Sequence, residues 1–250
     1  MKMVKVVTIL CAAIVLALSC IAEATPVDTV DIVHTGFGAS DIIKIWGGGH
    51  SALRGYGGVY MLNKTAGTGQ GNFWPDGSVG TFCIELSEWT PDRTLTYDVV
   101  KLEEAPQPYS FLGGPMDADK AEYISELWGR FFDPMWVGSA QFTCQQKKEA
   151  EAFAAAVWEI IYEDLPASPA HWDVKVDGTA GELGFRCEQA ARDIANNWLH
   201  ALDGTGPKAN LRAFVYNGKQ DYIAEVPVPE PATVFLLSLG SLILLRPRCK

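Results

Sequence analysis

One cysteine and one pair of glutamates are the side chains whose type and position could support a reaction. Cys83 stands in the alternating segment FCIEL at positions 82–86, where a thiol could act as a nucleophile if its pKa were lowered. On such a strand a cysteine can equally be a small buried hydrophobic residue. Glu159 and Glu163 are four residues apart in a segment with helical periodicity, so both carboxylates lie on one helical face. This pair could supply a general acid and base, although such pairs more commonly form a solvated surface.

The histidines and glycine-rich segments do not form a recognisable cofactor site. The four histidines are His34, His50, His171 and His200. Their spacing is not that of a metal-ligating set. The segments GGGH at 47–50 and GTGQG at 67–71 lack the Lys-Ser/Thr pair of a phosphate-binding loop and are predicted to be turns. We therefore expect neither a metal ion nor an organic cofactor.

Three cysteines lie between the two terminal segments discussed below, namely Cys83, Cys144 and Cys187. An odd number permits at most one internal disulfide in an oxidising compartment. Cys144 precedes one predicted helix and Cys187 lies near the start of the next, and a bond between them would contribute about 3–4 kcal/mol of stability. We expect this disulfide, with Cys83 as a competing partner for either thiol.

A second segment, about 70 residues after FCIEL, reads AFAAAVWEIIYE at 152–163. Together the two segments resemble the thioester domain of surface proteins, in which a cysteine is bonded to a glutamine in the helical motif Phe/Thr-Gln-x-Ala-Ile/Val-Trp. The segment AVW at 156–158 matches the end of that motif, and Ala154 stands at the glutamine position. The resemblance covers roughly residues 59–226. It implies the α+β fold with a degenerate thioester site at Cys83 and Ala154, because alanine has no carboxamide to form the acyl bond.

Two other functions stay open as alternatives. Gln145 and Gln146 precede Ala154 by eight or nine residues, which is more than two helical turns at about 1.5 Å per residue, so neither replaces the missing glutamine in this register. An acyl bond from Cys83 to some other glutamine or asparagine would make the chain a covalent thioester adhesin. The remaining alternative is a secreted hydrolase that uses Cys83 or the two glutamates.

The C-terminal segment combines a proline motif, an apolar run and a basic end. In order, these are Pro229, Glu230 and Pro231, the uncharged run 232–245, and the basic residues Arg246, Arg248 and Lys250. The run is shorter than the roughly 20 residues that a spanning helix needs, so it could cross only with bilayer thinning or help from its flanks. The basic end would anchor it on the cytoplasmic side. A buried core helix is the alternative, which the flanking prolines and basic residues disfavour.

This order resembles the PEP-CTERM sorting signal, which bacteria with the membrane protease exosortase use to send proteins to the cell surface. The resemblance implies that residues 227–250 form a sorting tail with a short terminal apolar helix. It also implies exosortase as a processing partner. The chain would be held transiently in the inner membrane through this helix and would then reach the cell surface or the extracellular space.

The N-terminal segment has the layout of a signal peptide. Lys2 and Lys5 precede the apolar stretch 6–19, and AEA at 22–24 is a small-x-small cleavage pattern. Residues 1–24 are therefore predicted to be removed by signal peptidase. A faint lipobox that ends at Cys20 makes lipidation the alternative.

Composition and charge favour a folded, acidic domain at 25–226. The chain is 48% hydrophobic and 20% charged, which suits a protein that buries a core. Its formal net charge is −10, and the part between the termini is more acidic still, because five basic and two acidic residues belong to the ends. Such a surface repels nucleic acid, which we do not expect as a partner. Exopolysaccharide and surface proteins are the expected partners, and Trp74, beside a Pro-Asp-Gly turn, is predicted to be an exposed ring that could stack on a sugar.

The first half of the chain is predicted to be β-structure. Alternating apolar residues and frequent glycines predict short antiparallel strands joined by glycine turns at 29–62. A polar, glycine-rich loop at 67–80 comes next, followed by strands at 80–86 and 95–102.

The second half is predicted to be helical, with a closing hairpin. Apolar spacing predicts helices at 119–132, at 146–163 and at about 182–202. Asn217-Gly218 between two apolar segments predicts a hairpin. The predicted fold class is α+β, with an antiparallel sheet or barrel, about three packed helices, a C-terminal hairpin and the terminal apolar helix. The sequence as a whole predicts an exported, exosortase-sorted surface or extracellular-matrix protein with an interaction or structural role and no enzymatic activity.

Overall fold

A computed structural model describes residues 27–47, 50–86, 88–107, 114–139, 141–174, 184–186 and 189–228. The predicted signal peptide, the sorting motif, the basic end and Cys187 lie outside these ranges, and so does the expected terminal apolar helix at 232–245. Among the described residues, no helix is both long enough and apolar enough to cross a membrane.

An antiparallel sheet is built from seven strands of the described chain. They are β1 (Thr29–Gly47), β2 (His50–Thr68), β3 (Gly77–Cys83), β4 (Leu95–Lys101), β5 (Gly184–Arg186), β6 (Leu211–Tyr216) and β7 (Lys219–Glu225). Six of them pair in a closed circle in the order β1, β2, β3, β7, β6, β4 and back to β1. The circle closes because residues 29–32 of β1 pair with β2 on one side and with β4 on the other. The short β5 pairs with the far end of β1.

The first two strands correct the expectation of short strands at 29–62, since each spans 19 residues. The reason lies in the glycines, which here bend the strands instead of ending them. Gly36 and Gly58 have φ values of 143° and 140°, close to register shifts between β1 and β2. A Cβ atom at Gly58 would lie 2.4 Å from the carbonyl oxygen of Ala39, so no side chain fits there without movement.

Three helices follow the first four strands, as the sequence predicts, namely α1 (Ala118–Phe131), α2 (Cys144–Tyr162) and α3 (Gln189–His200). A capping box begins α2. The Thr143 side chain accepts from the main-chain nitrogen of Gln146 at 3.2 Å, and the Gln146 side chain accepts from the main-chain nitrogen of Thr143 at 3.0 Å. The predicted start of the third helix at about 182 is wrong, because residues 184–186 pair with β1 as β5.

The hairpin of β6 and β7 turns at Asn217-Gly218 as predicted, and Gly218 has the positive φ of 91° that such a turn requires. The α+β class is therefore confirmed for the described residues. The core centres on α2, in which every residue from Ala150 to Tyr162 is buried. This helix contacts β1, β2, α1 and α3.

The expectation of an exposed ring at Trp74 is wrong. Its side chain is 3% exposed, its indole nitrogen donates to the carbonyl oxygen of Glu225 at 2.8 Å, and its ring packs edge-on against Phe214 with centroids 4.9 Å apart. These partners come from the C-terminal hairpin, so the neighbouring Pro-Asp-Gly turn does not determine where the ring lies.

Candidate functional site

The end of β3 packs against α2 through contacts that involve Cys83 and its neighbours. The indole nitrogen of Trp158 donates to the carbonyl oxygen of Cys83 at 2.8 Å, and the Tyr162 hydroxyl accepts from the main-chain nitrogen of Leu86 at 2.9 Å. The rings of Phe82 and Phe153 lie 4.7 Å apart. Phe153 and Trp158 are both buried, so they pack on the strand that carries Cys83.

The Cys83 thiol is buried and electrically neutral at physiological pH. The residue is 1% exposed, and its Sγ donates to the carbonyl oxygen of Glu85 at 2.9 Å. Burial raises the pKa of the thiol well above its usual value, and the carboxylates of Glu85 and Asp221 raise it further, while the hydrogen bond to Glu85 opposes this shift only in part. A protonated, inaccessible thiol is a poor nucleophile.

Ala154 lies on the part of α2 that packs against this strand. It is 1% exposed and precedes Trp158 by four residues, so the two share a helical face. Its neighbour Phe153 contacts Phe82, the neighbour of Cys83. The structure thus brings together the two elements that carry Cys83 and Ala154.

A glutamine that the sequence analysis did not single out lies beside Cys83. Gln220, on β7, is 6% exposed, and its Nε2 donates at 3.1 Å to the carbonyl oxygen of Glu85, the same atom that accepts from the Cys83 thiol. Its Oε1 is buried and has no hydrogen-bond partner in the described part of the chain. The hairpin motif predicts β7 itself, but the pairing of β7 with β3 is long-range and leaves no local signal in the sequence.

A cavity of about 340 Å³ adjoins this contact. Its buried lining includes Tyr60, Trp158 and Gln220, and its more exposed lining includes Tyr56, Glu88 and Trp89. The Tyr60 hydroxyl donates to the carbonyl oxygen of Tyr56 at 3.0 Å. Burial, the largest cause, and the neighbouring Cys83 raise the pKa of Tyr60, while a hydrogen bond with the Gln220 side chain opposes the shift only in part, so this phenol stays protonated.

A buried carboxyl group lies next to Gln220 in the sequence. Asp221 is 3% exposed, and one of its carboxylate oxygens accepts from the main-chain nitrogen of Tyr216 at 2.8 Å. Burial raises its pKa to about 7, with a further contribution from Glu85 and Glu88, although the Tyr216 hydrogen bond acts in the opposite direction. A substantial fraction of this carboxyl is therefore protonated at neutral pH.

The two glutamates considered from the sequence differ in where they lie on α2. Glu159 is 5% exposed, which corrects the expectation of a solvated pair, and Glu163 is the C-cap residue that follows Tyr162. The described residues contain no group of three or more His, Cys, Asp or Glu side chains that could hold a metal ion.

Cys144 is exposed at the start of α2 and is not bonded to Cys83. Because Cys187 lies outside the described residues, the Cys144–Cys187 disulfide stays a prediction.

Comparison of the chain with protein-family models, with curated proteins and with solved structures found no significant match in any of the three.

Proposed function

We propose that the chain is an exported surface or extracellular-matrix protein whose folded part has a non-catalytic, interaction role. The observation that carries the non-catalytic part is the state of Cys83, the thiol best placed in the sequence to be a nucleophile, which is buried and protonated. The hydrolase alternative has less support, because Glu159 is buried as well. Export is supported by the patterns at the two ends of the sequence.

The proposed sorting route uses both ends of the chain. Signal peptidase removes residues 1–24, and the apolar run 232–245 with its basic end holds the chain in the inner membrane. An exosortase then cleaves near Pro231 and releases the folded part to the cell surface or the extracellular space.

The test replaces Pro229 and Pro231 with alanine in a bacterium that has an exosortase. Full-length protein should then accumulate in the membrane fraction, whereas the unmodified chain is shortened and leaves it. A Pro227→Ala variant, which alters a proline outside the motif, is the control. Unchanged export and processing of the double variant would mean that the tail is not this signal.

A covalent adhesin is the second candidate function, and one observation favours it. Cys83 Sγ and Gln220 Nε2 donate to the same carbonyl oxygen, so a thiol and a carboxamide are neighbours. In thioester formation Sγ would bond to Cδ of Gln220, the C–N bond would break, and ammonia would leave with the thiol proton. A surface amine would then attack Cδ and release the thiol.

Intact mass distinguishes the two candidates. A thioester lowers the mass of the mature protein by one ammonia, and Cys83→Ala and Gln220→Ala variants would each abolish that loss. The non-covalent proposal expects the full mass and no coupling to methylamine.

A further inference from the structure

Two residues that line the cavity beside Trp158 each have a hydrogen-bond acceptor without a donor. The Oε1 atom of Gln220 and the Oε2 atom of Glu88 are both shielded from solvent, and neither has a hydrogen-bond partner in the described structure. The neighbouring Tyr60 hydroxyl donates to the carbonyl oxygen of Tyr56. Its hydrogen bond with the Gln220 side chain lowers the Tyr60 pKa, so the amide nitrogen is the donor in that contact and Oε1 is left without one. Leaving buried acceptors unpaired is costly. A ligand that brings hydrogen-bond donors into the cavity would recover this cost.

Aromatic rings form another part of the same cavity. Phe37 and Tyr56 are stacked with their centroids 4.3 Å apart, and Tyr56 is 44% exposed. Trp89 is 76% exposed, so its ring is an accessible apolar surface at the edge of the cavity. The ligand therefore has flat apolar faces as well as donors.

The charges around the cavity limit the ligand further. Arg54 and Glu88 both line it, and Arg54 forms no ion pair with the described residues, so the lining carries charges of both signs and a small ion of either sign would meet a like charge. The net charge of the chain, −10, disfavours an anionic polymer. A volume of about 340 Å³ is at the small end of the range for ligand pockets. A small neutral molecule with both donors and acceptors suits a lining that carries charges of both signs.

We propose that this cavity binds a neutral saccharide, whose ring stacks on Trp89 and Tyr56 while its hydroxyl groups donate to Gln220 Oε1 and Glu88 Oε2. Sugar hydroxyls also accept hydrogen bonds, which suits the guanidinium of Arg54. The volume accommodates one sugar ring or the end of a short chain. This inference deepens the proposed interaction role and rests on it, since it names the class of partner.

The experiment uses the purified full chain in detergent on an array of neutral oligosaccharides built from hexoses, pentoses and N-acetylhexosamines. The best binder is then measured by titration calorimetry, with tetramethylammonium and glucuronic acid as comparison probes. Trp89→Ala should weaken binding by about tenfold or more, as expected for loss of the stacked apolar area. Glu88→Gln should weaken it too, because an acceptor-only carboxylate is replaced by an amide. Phe73→Ala, which removes an aromatic ring that is 46% exposed elsewhere on the surface, should leave the affinity unchanged.

Three results would overturn the inference. They are absence of binding to every neutral saccharide by the folded protein, undiminished binding by Trp89→Ala, and tighter binding of tetramethylammonium than of any sugar. The readout uses purified protein, so it is independent of export. If the chain is sorted as proposed but binds no sugar, only the saccharide-binding inference is refuted. If it binds sugar but is not sorted, only the proposed sorting route is refuted.

Discussion

The indole nitrogen of Trp158 and the carbonyl oxygen of Cys83 are 2.8 Å apart, and the hydrogen bond between them joins α2 to the end of β3. One turn further along the helix, Tyr162 accepts from the main-chain nitrogen of Leu86. Two side chains of the most buried helix thus satisfy main-chain groups at the end of β3 and in the segment that follows it. This segment also provides the carbonyl oxygen of Glu85, to which Cys83 and Gln220 both donate.

Replacing Trp158 with alanine should lower the free energy of unfolding by about 3–5 kcal/mol, because it leaves a cavity and an unpaired carbonyl oxygen at Cys83. Urea denaturation followed by circular dichroism measures this loss. The control Trp158→Phe keeps most of the ring but not the hydrogen bond, so it should lose less. A loss below about 1 kcal/mol for the alanine variant would contradict the packing of α2 on β3.

Asp221 should make the protein less stable as the pH rises towards neutrality. Burial raises its folded-state pKa from 3.8 to about 7, so between these values the unfolded chain ionises while the folded chain retains the proton. The folded state therefore loses stability across this window as the pH increases, and the contribution of this residue levels off above it.

The variant Asp221→Asn provides the measurement, because it keeps an acceptor for the Tyr216 main-chain nitrogen and removes the titration. Its free energy of unfolding should fall less steeply than that of the unmodified protein between pH 4 and pH 7. Parallel profiles for the two proteins would show that Asp221 titrates normally in the folded chain.

Glu126 should contribute strongly to stability although it is far from Cys83 in the sequence. Its carboxylate is fully buried and accepts from the Arg130 side chain at 2.8 Å and from the main-chain nitrogens of Gly204 at 2.7 Å and Gly206 at 3.1 Å. Glu126→Gln should cost about 1.5–3 kcal/mol, since it removes a buried charged acceptor while Arg130 keeps its ion pair with Asp203.

The matched control is Glu122→Gln, which alters an exposed carboxylate on the same helix, paired with Lys208. An exposed ion pair contributes about 0–1 kcal/mol, so thermal unfolding of this variant should be close to that of the unmodified protein. Equal losses for the two glutamate variants would mean that the loop at 203–206 does not depend on Glu126.

The sequence predicts the parts of the fold that local patterns determine. Three signals are local: the spacing of apolar residues along α2, the capping residues of that helix and the Asn-Gly turn. The observed α2 and hairpin agree with them. The length of β1 and β2 could not be predicted in this way, because a glycine that bends a strand at Gly58 resembles one that ends it.

Predicting the candidate site requires long-range contacts, which local sequence patterns do not indicate. The burial of the Trp74 ring depends on its contacts with Glu225 and Phe214, which lie far along the chain. Gln220 becomes relevant only when β7 pairs with β3, and the cavity combines residues of β1, β2 and the segment after β3 with Gln220 and Trp158. The thioester-domain resemblance connects Cys83 with the helix of Trp158, whereas Gln220 belongs to no motif of the sequence.

The most direct test of the account is the intact mass and thiol reactivity of the purified folded part after export. A buried, protonated and unacylated Cys83 predicts a mass without loss of ammonia, no incorporation of methylamine, and reaction of Cys83 with a thiol reagent only after unfolding in urea. A mass lower by one ammonia, with methylamine incorporated at Gln220, would contradict the account and establish a covalent adhesin in its place.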